Sequence, residues 1–147
     1  MTDRYLDDKE CIDRLMKEWR THGNLIICYD YDNCVFDFHN RGDKFERVIA
    51  LIRKAKELGC TVIVFTSCDE SRFEDIKKYL RDNNIPFDGI NENAKTIPYT
   101  GRKLYYNILL DDRAGLSASY AQLKEVLLLM ELNKKGDSIK NKEDIDA

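Results

Sequence analysis

Hydrophobic and polar positions divide the chain into alternating helical and extended segments. From Tyr5 to Arg20 the apolar residues Leu6, Ile12, Leu15, Met16 and Trp19 recur at roughly helical spacing, and His22-Gly23-Asn24 breaks the pattern. "LIICYD", Leu25 to Asp30, is apolar on both faces, the mark of a strand buried from both sides. Between Asp43 and Leu58, the residues Phe45, Val48, Ile49, Leu51, Ile52, Ala55 and Leu58 form one face of an amphipathic helix. Asp43 followed by Glu46 resembles a capping box, and Gly59 ends the helix. "CTVIVFTS" is a second buried strand, β-branched and apolar throughout. Asp69 to Asn83 reads as a helix and Asn84 to Pro86 as its exit. "FDGIN" is a short third strand, and "LYYNILL" is a stronger fourth that ends at Asp111-Asp112. Ser117 to about Asn133 is a helix with a wide apolar face, and the charged segment 135–147 is expected to be a flexible tail.

Helices alternating with doubly apolar strands predict an α/β fold. It would be a three-layer, Rossmann-like domain with a central, mostly parallel sheet and helices on both faces. The 147 residues suit one domain, about 1–134, with its N-terminal helix at about 5–21. The net charge of −3 offers no basic footprint, so nucleic acid is not favoured as a partner. No apolar run reaches the length of a membrane span, and "MTDRYLDDKE" is too polar for a signal peptide, so no membrane partner is expected. The five cysteines, Cys11, Cys28, Cys34, Cys60 and Cys68, are odd in number with no C-x-x-C pair, which indicates a reduced, cytoplasmic compartment. With only His22 and His39 there is no zinc pattern, and neither G-x-x-x-x-G-K-[ST] nor G-x-G-x-x-G occurs.

In a parallel sheet, ligands sit beyond the carboxyl ends of the strands. Asp30 and Asp32 follow the first strand, Thr66 and Ser67 the second, and Asp111 and Asp112 the fourth. Hard oxygens suit a magnesium ion, and hydroxyl donors suit phosphoryl oxygens. Acid pairs alone mean little: 17 aspartates in 147 residues give about two D-x-D and two D-D pairs by chance, and the chain has two of each. Asp7-Asp8 and Asp144-Asp146 serve as internal controls, because neither follows a buried strand.

"DYDNCVFD", "VIVFTS" and "GRKLYYNILLDDRAG", in that order, resemble the motifs of the haloacid dehalogenase (HAD) superfamily of phosphohydrolases. The span from Leu25 to Gly115 is similar to its small capless members from phages and bacteria. The resemblance implies a magnesium-dependent phosphatase. Asp30 would be the nucleophile that forms an aspartyl-phosphate. Asp32 would be general acid and then base, with its backbone carbonyl on the metal. Thr66 would hydrogen-bond the phosphoryl group beside Ser67 and Asn33, and Lys103 would neutralise charge on nucleophile and phosphate. Asp111 and Asp112 would complete the Mg2+ site, one directly and one through water. The chemistry agrees, since a carboxylate attacks a phosphate dianion only where cations offset the repulsion.

Three positions depart from the family pattern. Asn33 and Cys34 stand where the family has Gly and Thr, and Cys68 stands where relatives often carry Arg, leaving Arg72 or Arg113 as substitutes. Lys103 lies eight residues before Asp111 and reaches the site only if the intervening chain folds back or is helical; Lys95 is the alternative. A cysteine phosphatase is excluded for want of C-x5-R after Cys34 or Cys68, and Cys34 reads as a buried packing residue. A receiver domain places its phosphorylated aspartate after a later strand, whereas here the second strand ends in Thr-Ser and the third in Asn91. Only 33 residues separate Asp32 from Thr66, and 44 separate Thr66 from Asp111, leaving no room for a cap domain. The expected substrate is a small phosphate ester. A polynucleotide end, or a non-catalytic phosphate- and Mg-binding module, is the alternative, and the first and last helices are candidates for a homodimer contact.

Overall fold

The computed structural model describes residues 3–146, with side chains as far as 137. Eight elements follow one another: α1 (Asp8–His22), β1 (Ile26–Tyr29), α2 (Glu46–Glu57), β2 (Thr61–Val64), α3 (Phe73–Asp82), β3 (Gly89–Ile90), β4 (Ile108–Leu110) and α4 (Leu116–Asp146). The four strands form one all-parallel sheet in the order β3-β2-β1-β4. The fold is therefore the expected three-layer α/β arrangement around a parallel sheet, but the described helices contribute to the core of one face, and the layer on the other face is a helix-free connection rather than the expected helix.

Alternation along the strands assigns the two faces. Ile27, Tyr29, Val62, Val64, Ile108 and Leu110 enter the main core with Leu15, Trp19, Ile52, Ile76, Leu80 and Leu123 from the four helices. Ile26, Cys28 and Ile63 face the other way, where Ala94, Ile97, Leu104, Tyr105 and Tyr106 cover them. That third layer is the connection between β3 and β4.

Three element boundaries differ from expectation, each because packing overrides a local signal. Asp43 and Glu46 form no capping box: the N-cap of α2 is Phe45, at φ +52° and without a side-chain cap bond, its ring packed against the main core. The fourth strand begins at Ile108 rather than Leu104, because Leu104–Tyr106 are drawn into the second face and the Asn107 side chain accepts the Ile26 N–H on its Oδ1 at 2.6 Å. The last helix passes Asn133 and continues to Asp146. Its charged stretch contains no proline and begins with a Lys135–Glu131 pair at i,i+4 spacing; the side chains of the expected tail from 138 onward lie outside the described residues. Among the described residues, no helix is long and apolar enough to cross a membrane.

Candidate functional site

Parallel register brings the strand ends level. Tyr29 pairs with Leu110 and with Val64, so the chain leaves β1, β4 and β2 at one edge of the sheet. Asp30 is the first residue beyond β1, and its N–H donates to the Leu110 carbonyl at 2.8 Å. The loop that follows is tied by one acceptor: the Tyr31 carbonyl receives the N–H groups of Cys34, Val35 and Phe36, while Asn33 N–H returns to the Phe36 carbonyl. Asn33 takes φ +60°, a conformation glycine adopts freely and asparagine tolerates.

That turn places the Cys34 thiol beneath the acids. Ligand atoms of Asp30, Cys34 and Asp112 lie within 4.8 Å of one another, with Cys34 Sγ 4.0 Å from Asp112 Oδ1. Cys34 is fully buried, as the sequence suggested, and it also touches the site. Burial, followed by the charge of Asp30, pushes its thiol up to about 12, so it stands there as a neutral S–H. Of the two C-terminal acids, Asp112 is the one that faces Asp30. Asp111 turns its Oδ1 to the Arg113 N–H at 2.9 Å and closes the turn into α4. Burial raises Asp30 to about 7, reinforced by a hydrogen bond with Asp112 and the charges of Asp111 and Asp112, while the Tyr31 N–H pulls the other way.

Asp32 is oriented differently. Its Oδ2 lies 3.6 Å from the Cys68 sulfur, and its Oδ1 is buried with no hydrogen-bond partner among the described residues. A buried carboxylate oxygen without a donor is costly, and its counterpart is a ligand or a proton. Thr66, 7% exposed, is held at both ends of its own peptide: its N–H donates to Asn91 Oδ1 at 2.8 Å and its carbonyl accepts from Asn91 Nδ2 at 2.7 Å. The Thr66 hydroxyl accepts from the Cys68 N–H at 3.1 Å, leaving its own hydrogen free to donate. Ser67 is exposed on the same loop.

Lys103 forms no ion pair with these acids among the described residues. Its ammonium lies 5.8 Å from the Tyr106 ring centroid, and among the described residues neither Lys103 nor Lys95 pairs with an acid. The chain before β4 does fold back, but it crosses the second face, with Tyr105 N–H bonded to Asn93 Oδ1. Asn91 and the Cys34 contact were not recognisable as site features from spacing, although Asn91 stands at the end of the third strand. The acids themselves lie on an open rim. Beside them a groove of about 350 Å³, lined by Tyr31, Phe36, Ile76 and Tyr79 together with Arg72, Lys78, Asp75 and Asp82, meets the acids' loops through Tyr31 and Arg72.

The donor set fits a hard divalent cation. Asp30 and Asp112 present carboxylates whose mutual repulsion a cation would offset, and Asp111 stands one residue behind. Magnesium accepts such a partial protein shell and fills the rest with water and phosphate oxygens.

No family model matches the chain, and no curated protein matches it. A solved structure similar in fold, described as a conserved protein coded by a locus from Bacteroides thetaiotaomicron, shares 16% identity at a TM-score of 0.57, over 69% of this chain and 91% of that one. At this identity the likeness concerns the fold alone.

Proposed function

We propose that the protein is a magnesium-dependent phosphomonoester hydrolase of haloacid dehalogenase type, acting on a small phosphate ester. The observation that carries this reading is the meeting of Asp30 and Asp112 at the edge of two adjacent parallel strands, with Asp30 two residues before a buried Asp32 oxygen that has no partner among the described residues. Acids meeting at a strand end without cations of their own fit a site that receives both a metal and a phosphate.

In this reading Asp30, Asp112 and the Asp32 carbonyl hold the ion, with Asp111 behind them. Bound magnesium would keep Asp30 ionised and offset the charge of the phosphate dianion. One Asp30 oxygen attacks phosphorus, and the bond from phosphorus to the ester oxygen breaks. The Asp32 Oδ1 position, which nothing else in the fold occupies, gives the departing oxygen its proton. The Cys68 contact on Oδ2 keeps that carboxyl aimed. Asp32, now ionised, takes a proton from water as the water attacks the aspartyl-phosphate, which releases phosphate and restores both acids. Thr66, fixed by Asn91, donates its free hydroxyl hydrogen to a phosphoryl oxygen.

Hydrolysis of an aryl phosphate, with magnesium and with a chelator, tests this beside Asp30→Asn. Magnesium-dependent release lost at least a thousandfold in the variant is expected. An absence of release together with no thermal shift from beryllium fluoride, an aspartyl-phosphate mimic, would overturn the reading in favour of a binding module.

A further inference from the structure

The candidate site gathers carboxylates and needs a cation on the phosphate side, and among the described residues neither Lys103 nor Lys95 pairs with an acid, while Lys103 lies over the Tyr106 ring. We propose that Arg72 fills this role and binds the phosphoryl group of the substrate. The inference rests on the phosphatase reading and deepens it.

Three observations place Arg72. First, it belongs to the same strand-end loop as Thr66. The chain leaves β2 through Thr66, Ser67 and Cys68 and forms a 3-10 turn over Glu70–Arg72 that leads into α3. Asp69 fastens that turn, its carboxylate taking the Ser71 N–H and its carbonyl the Arg72 N–H at 2.9 Å, so the base of the side chain is fixed. Second, the guanidinium approaches the acids through a single sulfur. Arg72 Nη1 lies 3.8 Å from Cys68 Sγ, and the same sulfur lies 3.6 Å from Asp32 Oδ2. Third, the charge is unspent: among the described residues Arg72 pairs with no carboxylate and stacks on no ring, although Asp75 is one helical turn away. Cys68 serves as a spacer. A sulfur between guanidinium and carboxylate keeps Arg72 from collapsing onto Asp32 and leaves its N–H fork for another anion.

Arg113 is the other arginine near the acids. It follows Asp111-Asp112, on the side where the divalent cation would sit and would repel it. Arg72 stands on the Thr66 side, where a phosphoryl group between the Asp30 carboxylate and the Thr66 hydroxyl would present its remaining oxygens. A planar fork donating two parallel N–H groups suits two oxygens of one phosphate, so the substrate class is a monoester dianion rather than a diester. Arg72 also lines the groove with Tyr31, Phe36 and Tyr79; Asp75 and Asp82 line it too, so an ester extending that way would meet it with an uncharged or aromatic group rather than a second anion.

The test measures KM and kcat for an aryl phosphate, and the affinity for orthophosphate by calorimetry in saturating magnesium. The proteins are the wild type, Arg72→Gln, Arg72→Lys and Lys103→Gln. Arg72 is exposed, so its variants are expected to melt within about 2 °C of wild type, and the far-ultraviolet spectrum checks this. Arg72→Gln is expected to weaken orthophosphate binding and raise KM at least tenfold, with magnesium affinity within twofold of wild type. Arg72→Lys should recover part of the loss, which a purely structural role would not give. Wild-type values in Arg72→Gln, or a tenfold loss confined to Lys103→Gln, would overturn the assignment while the phosphatase reading stood. A wild type that neither hydrolyses the ester nor binds orthophosphate would overturn both.

Discussion

Replacing Asp30 with asparagine is expected to stabilise the metal-free protein at pH 8 while removing its activity. In the fold the Asp30 carboxyl is raised to about 7 by burial and by Asp112 and Asp111, against about 3.9 for an unfolded chain. A raised carboxyl pKa means that the folded state holds an extra proton between those two values. Its contribution is therefore fully present below pH 4 and is lost as pH rises through 7. Taken at face value, the gap is worth roughly 4 kcal/mol at 1.36 kcal/mol per tenfold change in proton affinity. Asp30 remains in contact with solvent, so screening reduces this to about 1–2 kcal/mol. For a domain of this size that corresponds to about 3–8 °C in Tm.

The assay is thermal unfolding in chelator at pH 5 and pH 8 for wild type and Asp30→Asn. The difference between the two proteins isolates this carboxyl from the other titrating groups. Asp30→Asn should melt higher than wild type at pH 8, and the advantage should shrink or vanish at pH 5. If the variant melts below wild type at pH 8, or the difference is the same at both pH values, then Asp30 is not under like-charge stress. The electrostatic case for a cation between Asp30 and Asp112 would then fail.

Saturation to ten times Kd with magnesium should add about 1.4 kcal/mol to wild-type stability. Unfolding scans should show that gain lost in Asp112→Asn and largely kept in Asp111→Asn, because only Asp112 faces Asp30. Asp32→Asn is expected to lower kcat by about 10²–10⁴ for an alkyl phosphate and by less for a nitrophenyl phosphate, whose leaving group needs little protonation. Equal losses on both substrates would deny Asp32 the role of acid. Asn91→Ala should cost about 1–3 kcal/mol by unbinding both ends of the Thr66 peptide, and it should lower turnover as well. Asn107→Ala, which removes bonds to Ile26 and Glu18 at the opposite end of the sheet, should cost a similar amount in denaturant titration with turnover intact.

The strand ends were legible because a run apolar on both faces has few places to go but the middle of a covered sheet, and such sheets present their ligands beyond the carboxyl edge. That logic separated Asp30-Asp32 and Asp111-Asp112 from pairs of identical composition. The control pair at Asp7-Asp8 turns out to start a helix, with Asp7 accepting the Lys9 N–H. What the sequence did not display is which atoms meet once the strands stop. Choosing Asp112 over Asp111 depends on a turn that Asp111 itself caps, and a residue-by-residue pattern has no term for a carboxylate used up by its own backbone. The Asn91 clamp on Thr66 joins side chain to main chain across 25 positions, so no local window contains it. Phe45 caps α2 because the burial of its ring outweighs a side-chain cap bond of about 1 kcal/mol.

Lys103 is held over Tyr106 for a related reason. The segment before β4 carries Leu104, Tyr105 and Tyr106, which cover the face of Ile26, Cys28 and Ile63 together with Ala94 and Ile97. Covering that face holds Lys103 beside Tyr106. The hydrophobic demand of the third layer thus decides which cation remains for the acids, and it leaves the arginine on the other side of Thr66. A core requirement on one face of the sheet and the electrostatics of its edge are in this way a single constraint. Filling the second face with a helix placed by design, so that Leu104–Tyr106 were released, would be expected to free Lys103 without moving Asp30, Asp32 or Asp112, because those three are fixed by β1, β4 and their own turns.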